Sequence, residues 1–201
     1  MIIGVTGRIA SGKSVVTKFF TELGSVAINA DEIGKEVLQL QPDLNNEIRD
    51  HFGKEMYDES GLDRHKLGDH VFNHPEELKH LNKIIHPPLL KELESRILST
   101  KRIFRNIVVE AALLLDWNIG HYFDVIILVT TEKKNQIQRL MEKHGFSYEQ
   151  AESRVEAQSL LKENHPDIDF TVTNNSTESD LKIEVYRVWK EIWEKEEGQA
   201  V

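Results

Sequence analysis

Apolar residues in this chain are concentrated in five short runs, and between these runs apolar positions recur every three or four residues. The short runs are β-branched and almost continuously apolar, which is typical of strands covered on both faces of a parallel sheet. They are IIGVT (2–6), SVAIN (25–29), NIVVE (106–110), DVIILV (124–129) and DFTVT (169–173). The pattern therefore predicts an α/β fold with a five-stranded parallel sheet.

The segments between the runs have helical periodicity. Residues 13–24 carry apolar side chains at positions 15, 16, 19, 20 and 23 and end at Gly24, so with their flanking strands they predict a right-handed βαβ unit. Further helices are predicted over 62–72, 75–85, 87–98 (with Pro88 in its first turn), 132–143 and 178–195. Another helix is predicted to begin at Ser147, where Ser147 and Gln150 match a capping box. In the last helix, residues 181, 185, 188, 189, 192 and 193 form one apolar face expected to pack on the sheet.

This order of elements predicts one domain over 1–201. Its core comprises 1–30, 105–139 and 166–197, and the stretch 31–104, which contains no predicted strand, is a helical insertion between strands of the sheet. A length of 201 residues suits one α/β core and is short for two enzyme domains.

Charge and composition narrow the ligand classes. The formal net charge of -9 and the pI near 5.5 disfavour nucleic acids and anionic membrane surfaces, which leaves a small phosphate compound held by local geometry. The chain has no cysteine, no secretory leader pattern and no long apolar segment. A cytoplasmic location is therefore expected.

The segment GRIASGKS (7–14) follows the first strand and opens the first helix. It matches G-x-x-x-x-G-K-[ST], in which small residues let the N–H groups of residues 9–14 surround phosphates at a helix N-terminus. Lys13 is expected to reach the β- and γ-phosphates and Ser14 to bind Mg²⁺. The strand, loop and helix together predict a P-loop NTPase fold with three α/β/α layers that binds a nucleoside triphosphate.

Two carboxylates follow strands at the edge of the sheet that also carries this loop. Asp31 could accept a proton from an acceptor hydroxyl, or it could only cap the helix that follows. Glu110 could organise Mg²⁺, or it could simply face solvent. The cations Arg139, Lys143 and Arg154 could neutralise charge on the phosphates, although most arginines on amphipathic helices are solvated.

Several segments taken in order resemble the dephospho-coenzyme A kinase family, which phosphorylates the ribose 3′-hydroxyl of dephospho-coenzyme A. They are IIGVTGRIASGKSVV, INADEI, GLDRHKLGDHVF, IIHPPL, VVEAALLLDWN, DVIILV and RLMEKHGFSYEQAESRVEAQ, and the resemblance extends over about 2–190. It implies ATP, Mg²⁺ and dephospho-coenzyme A as ligands. It also implies that the insertion binds the acceptor and that residues 140–165 form a helical lid.

The resemblance assigns roles to individual residues. It implies that Asp31 is the general base, with Lys13 and Arg139 also catalytic. Arg64 and His86 are candidate contacts to the acceptor, although His86-Pro87 by its spacing indicates no base or metal role. The implied nucleotide contacts are Ile9, Ala10, Ser11, Gly12, Lys13, Ser14, Val15, Arg139, Arg154 and Asn175.

Family members usually have glycine at Ala10 and threonine at Val15, so weaker ATP binding is expected at most. Proline at Ala112 and basic residues after Gln158 are also replaced, which leaves the cations of the lid open. A related nucleoside or nucleotide kinase, or a nucleotide-dependent switch protein, remains an alternative, although no Asn-Lys-x-Asp motif of a GTPase is present. His70 and His74 lack the companion ligands of a zinc site. Oligomeric state is not indicated.

Overall fold

The computed structural model describes residues 1–59, 61–117, 119–158 and 164–199, with the side chains of 196–199 excepted. The strands are β1 (Ile2–Thr6), β2 (Val26–Asn29), β3 (Tyr57–Asp58), β4 (Gly61–Leu62), β5 (Ile107–Glu110), β6 (Val125–Thr130) and β7 (Phe170–Thr173). The helices are α1 (Lys13–Glu22), α2 (Ala30–Leu40), α3 (Pro42–Phe52), α4 (Arg64–Phe72), α5 (Pro75–Lys101), α6 (Lys133–His144), α7 (Tyr148–Ala157) and α8 (Glu178–Gln199).

Five strands form one parallel sheet in the order β2-β5-β1-β6-β7, which confirms the predicted fold class. Its register pairs Glu110 at the end of β5 with Asn29 at the end of β2 and with Val5 of β1. The C-terminal ends of the central strands therefore meet beside the loop that leads into α1, which is where ligands of open parallel sheets bind.

Each face of the sheet is covered by its own set of helices. On one face α1 and α8 pack together, and the buried residues of α8 include Leu181, Val185, Val188 and Ile192, with Trp189 partly buried beside them. On the other face β-strand residues pack with α2 and α5, which contact each other. Successive strand residues point to opposite faces of the sheet and pack against different helices, which gives the three α/β/α layers.

The first helix ends as its sequence indicates. Leu23 is the C-terminal cap of α1, and Gly24 follows with φ +92, a left-handed conformation that costs glycine little. A Cβ at Gly24 would meet no atom within 4 Å, so only the backbone conformation favours glycine there.

The segment 31–104 differs from its prediction in two respects. Residues 75–85 and 87–98 belong to the single helix α5, and Pro87 and Pro88 lie inside it rather than in a first turn. Proline removes a backbone donor from a helix interior, but Leu81, Ile84, Leu89, Leu93 and Ile97 on both sides of the prolines are buried, and this packing favours a continuous helix. A two-residue antiparallel hairpin, β3 with β4, was also not predicted.

Helices α6 and α7 pack against each other around a separate small cluster of Ile137, Leu140, Ala151 and Val155. The predicted capping box at the start of α7 is present, since Ser147 and Gln150 exchange side-chain and backbone hydrogen bonds. Residues 159–163 of the predicted lid lie outside the described residues. Among the helices of the described ranges, none combines the length and apolarity that crossing a membrane requires.

Candidate active site

A cavity of about 980 Å³ opens beside the C-terminal ends of β1, β2 and β5. The loop 7–12, α2, α5, the turn after β5, α6 and the end of β7 contribute to its walls. Of the predicted site residues, nine line it: Ile9, Ala10, Gly12, Lys13, Ser14, Val15, Asp31, His86 and Arg139. The structure therefore brings most of the predicted set into one space.

The phosphate-binding loop has backbone conformations that explain its small residues. Ala10 has φ +56, the only positive φ at a non-glycine residue in the described ranges. Gly12 has φ +100, and a Cβ there would lie 2.0 Å from the side-chain nitrogen of Asn174. A larger residue at Gly12 therefore meets both backbone strain and a collision.

Not every N–H group of residues 9–14 points toward the centre of the loop, which corrects the sequence expectation. The N–H of Ile9 donates to Gln158 Oε1 at 2.6 Å, and the Ile9 carbonyl accepts from Gln136 Nε2 at 2.8 Å. The N–H of Ser11 donates to the Arg8 carbonyl at 3.2 Å, and Ser11 is fully buried and does not line the cavity. The two glutamines therefore hold Ile9 from outside, and the bond between Ser11 and Arg8 is internal to the loop.

The second half of the loop is braced from behind by two side chains. Arg139 donates to the carbonyls of Ala10 and Ser11 at 3.1 and 3.3 Å and to that of Asn174 at 2.9 Å. Asn174, which is 7% exposed, donates from Nδ2 to the Ser11 carbonyl at 2.8 Å. Arg139 thus holds the loop in this structure, whereas the sequence led us to expect it on the transferring phosphate.

Lys13 and Glu110 are buried next to Ser14, which is exposed. Glu110 is only 6% exposed and accepts from Ser14 Oγ at 3.1 Å and from Asn29 Nδ2 at 3.4 Å, so the alternative that Glu110 faces solvent is wrong. Burial raises the pKa of Glu110, which the charge of Lys13 partly opposes. Lys13 Nζ donates to the carbonyls of Gly7 and Arg8 at 3.0 and 3.1 Å.

Burial likewise lowers the pKa of the Lys13 ammonium, and the carboxylates of Asp31 and Glu110 act in the opposite direction. Two cations, Lys13 and Lys143, and the two carboxylates are therefore electrostatically coupled within a single cavity. An arrangement of this kind, with buried charges of both signs beside a loop for phosphates, is typical of a catalytic site.

Asp31 is exposed to the cavity and does not cap α2. That cap is Asn29, whose Oδ1 accepts from the N–H groups of Asp31 and Glu32 at 2.8 and 3.1 Å. The capping alternative for Asp31 is therefore wrong, and its carboxylate belongs to the wall of the cavity in the first turn of α2.

Besides Ser11, three predicted contacts lie outside the walls of the cavity. Arg64 donates to the Lys35 carbonyl at 3.1 Å on the surface. Asn175 Oδ1 accepts from the Thr131 hydroxyl at 3.0 Å and the Glu132 N–H at 2.9 Å, which anchors the start of α6. Neither arrangement presents the side chain to the cavity.

Arg154 is the third and is 4% exposed. Its guanidinium pairs with Asp69 of α4, donates to the Gln150 carbonyl at 3.0 Å and lies 4.0 Å above the ring of Phe146 and 5.2 Å from that of Phe72. The carboxylate and the two aromatic faces thus hold Arg154 between α7 and α4 rather than toward a nucleotide.

A model of the dephospho-CoA kinase family matches residues 1–180. The chain belongs to the dephospho-CoA kinase family. A dephospho-CoA kinase of Bacillus cereus is 34% identical over 192 residues, covering 94% of this chain and 96% of that protein. One from Carboxydothermus hydrogenoformans is 35% identical over 201 residues, covering 96% and 97%. The solved dephospho-CoA kinase of Campylobacter jejuni is 28% identical, covers 95% of this chain and 96% of its own, and superposes with a TM-score of 0.64.

Dephospho-CoA kinases catalyse the last step of coenzyme A biosynthesis by phosphorylating dephospho-CoA, and this chain is a kinase of that family. The structural resemblance confirms the P-loop kinase fold predicted from GRIASGKS and its flanking elements. Membership in a P-loop kinase family implies that the chain uses ATP.

Several cavity residues were missed in the sequence. They are Asn29, Lys35, Asn82, Trp117, His144, Gln158 and Asn174. For Asn174 a signal existed, because it directly follows β7 and the ends of parallel strands share one edge of the sheet. Residues from α5, such as Asn82, had no such signal, because the path of that helix over the sheet is set by packing.

Proposed function

We propose that this kinase transfers the γ-phosphoryl group of ATP to the ribose 3′-hydroxyl of dephospho-CoA, with Asp31 as general base. One observation carries the proposal: Asp31 lines the same cavity as Lys13 and Ser14 of the phosphate loop. A carboxylate in that position can accept the hydroxyl proton as the oxygen attacks phosphorus. The phosphoryl group passes from ATP to the hydroxyl oxygen, and ADP leaves.

The ATP phosphates are held by the loop and by Lys13. Lys13 Nζ now bonds to the Gly7 and Arg8 carbonyls, and a phosphate oxygen is a stronger, charged acceptor for the same ammonium. Because Arg139 and Asn174 fix the loop from behind, little conformational entropy is lost when the phosphates bind. Arg139 in this proposal positions the loop, and Lys143 of α6 is a further cation on the cavity wall beside the phosphates.

The residues present also suit Mg²⁺. Ser14 Oγ and the Glu110 carboxylate are 3.1 Å apart, and both supply the hard oxygen atoms that Mg²⁺ prefers. Bound there with ATP, the ion would neutralise negative charge on the phosphates. Ser14 would bind the ion directly and Glu110 would orient its remaining ligands, while Asn29 Nδ2 donates to Glu110 at 3.4 Å and holds it in place.

The acceptor lies on the side of the cavity formed by α2 and α5, the helices of the segment 31–104. His86 of α5 lines that side, and burial lowers its pKa, so the imidazole is neutral at pH 7. Contacts of Arg64 with the acceptor, and of Arg154 and Asn175 with ATP, remain predictions that require a different arrangement of these side chains. Lid closure by 140–165 and a cytoplasmic location likewise remain predictions.

The test is coupled ADP release by the Asp31→Asn variant with and without dephospho-CoA. Turnover should fall by roughly a hundredfold or more, while ATP affinity stays within about twofold, because the change removes a base and leaves the loop intact. Glu32→Gln is the matched control, since Glu32 is the neighbouring carboxylate on the cavity wall and should be dispensable. Near-normal turnover of Asp31→Asn would overturn the base assignment.

A further inference from the structure

Two aromatic side chains form one wall of the cavity on the acceptor side. Trp117 lies in the turn after β5, where its backbone N–H donates to the Leu113 carbonyl at 3.1 Å. His86 lies on α5. Their ring centroids are 5.4 Å apart with an angle of 72° between the planes. The two rings are therefore in edge-to-face contact and reinforce each other's orientation.

The surroundings of this pair are apolar. Ile85 and Leu89 of α5 and Leu113 of the turn after β5 line the same cavity, whereas the charged groups come from α1, α2, β5, α6 and the start of α8. Apolar and aromatic surface of this kind contributes affinity for a flat, uncharged ring and none for a phosphate.

The contact that this wall offers is made by ring surface. The indole Nε1 of Trp117 is buried, so the N–H group does not face the open cavity. The apolar part of the indole ring is therefore the surface available to a flat base.

We propose that Trp117 is a specificity-determining residue that packs against the purine base of the acceptor, with His86 as the second ring of the pocket. The inference rests on the proposed function, in which a ribose hydroxyl of the acceptor meets Asp31. The base is attached to that same ribose, so it must lie in the same cavity. The flexible pantetheine arm has no ring to match this wall and extends away from it.

Tryptophan fluorescence tests the contact directly. Of the three tryptophans in the chain, Trp189 and Trp193 lie on α8 at the opposite face of the sheet, so only Trp117 is next to the cavity. Dephospho-CoA is titrated into protein saturated with Mg²⁺ and a non-hydrolysable ATP analogue. Emission should change on titration, the change should disappear in Trp117→Phe, and it should persist in the matched control Trp189→Phe.

Two results in this titration would overturn the proposal. A full change with the ATP analogue alone would show that the base next to Trp117 is that of the nucleotide. The second result compares the two halves of the acceptor, pantetheine and adenosine 5′-diphosphate, each added to protein whose ATP site is saturated. A change in emission with pantetheine and none with adenosine 5′-diphosphate would show that the arm occupies the wall.

Steady-state kinetics gives an independent measurement. Trp117→Ala should raise KM for dephospho-CoA roughly tenfold or more, in line with the loss of a base–aromatic contact, with KM for ATP unchanged. Trp117→Phe keeps a ring and should show a smaller rise, and it also serves if Trp117→Ala does not fold. If Trp117→Phe left KM for dephospho-CoA unchanged and showed the same emission change on titration as the unaltered protein, the inference would be refuted and the kinase proposal would stand. Absence of turnover in the unaltered protein would instead refute the kinase proposal.

Discussion

Replacing Asn174 by alanine removes a brace behind the phosphate loop. The side chain is 7% exposed, and its Nδ2 donates to the Ser11 carbonyl at 2.8 Å. It also packs directly on the loop, because a Cβ placed on Gly12 would lie 2.0 Å from the same nitrogen.

The cost follows from the bonds that remain. Losing a buried amide–carbonyl hydrogen bond costs about 1 kcal/mol, and about 1–3 kcal/mol when the carbonyl is left unsatisfied. Arg139 still donates to the Ser11 carbonyl at 3.3 Å, so we expect the lower half of that range, about 1–2 kcal/mol. For a chain of this size this corresponds to a decrease in Tm of about 2–8 °C.

Thermal unfolding and ATP-dependent kinetics measure the two consequences. Asn174→Ala should raise KM for ATP severalfold, because a looser loop must be ordered when the phosphates bind. Asn175→Ala is the matched control: its side chain bonds to Thr131 and Glu132 at the surface and should leave KM for ATP nearly unchanged. A larger effect on KM from Asn175→Ala than from Asn174→Ala would refute the reasoning and favour the original sequence assignment.

Three further changes probe other parts of the structure. Gly12→Ala should abolish measurable ATP binding, because the new Cβ would lie 2.0 Å from the side-chain nitrogen of Asn174. Gly24→Ala meets a similar backbone strain but no atom within 4 Å, so it should lower only the free energy of unfolding. Equal ATP affinities of the two variants would contradict this prediction. Asp69→Ala leaves the Arg154 guanidinium buried without its carboxylate and should cost about 1–3 kcal/mol in urea denaturation; an unchanged midpoint would contradict it. Because burial lowers the pKa of His86, the unfolded chain binds that proton first as pH falls below about 6.5, so the parent protein should lose stability relative to His86→Gln there; parallel curves from pH 8 to 5 would exclude it.

The sequence predicted those elements whose signal is local. The five strands of the main sheet begin and end within one residue of the predicted runs, because strands covered on both faces are continuously apolar. The capping box at Ser147 and the apolar face of α8 were also predicted, since each depends on spacing within one helix. The loop at 7–14 was located for the same reason.

What the sequence could not predict depends on contacts between distant segments. The continuity of α5 through Pro87 is fixed by its buried face, and the position of Arg154 by a carboxylate of another helix. The choice between Asn174 and Asn175 depends on which one turns inward after β7. Trp117 carries no motif, and only the path of α5 brings His86 against it.

The pairing of Arg154 with Asp69 ties α7 to α4, and the Ser153 hydroxyl adds bonds to the Phe72 carbonyl at 3.3 Å and to Asn73 Oδ1 at 3.0 Å. At its C-terminal end, α7 is followed by Gln158, which bonds to the phosphate loop. A continuous mechanical link therefore runs from the acceptor-side helices to the nucleotide side. A movement of the acceptor-side helices on binding would be transmitted through α7 and Gln158 to the phosphate loop. The resulting coupling of the two affinities would then be equal in both directions.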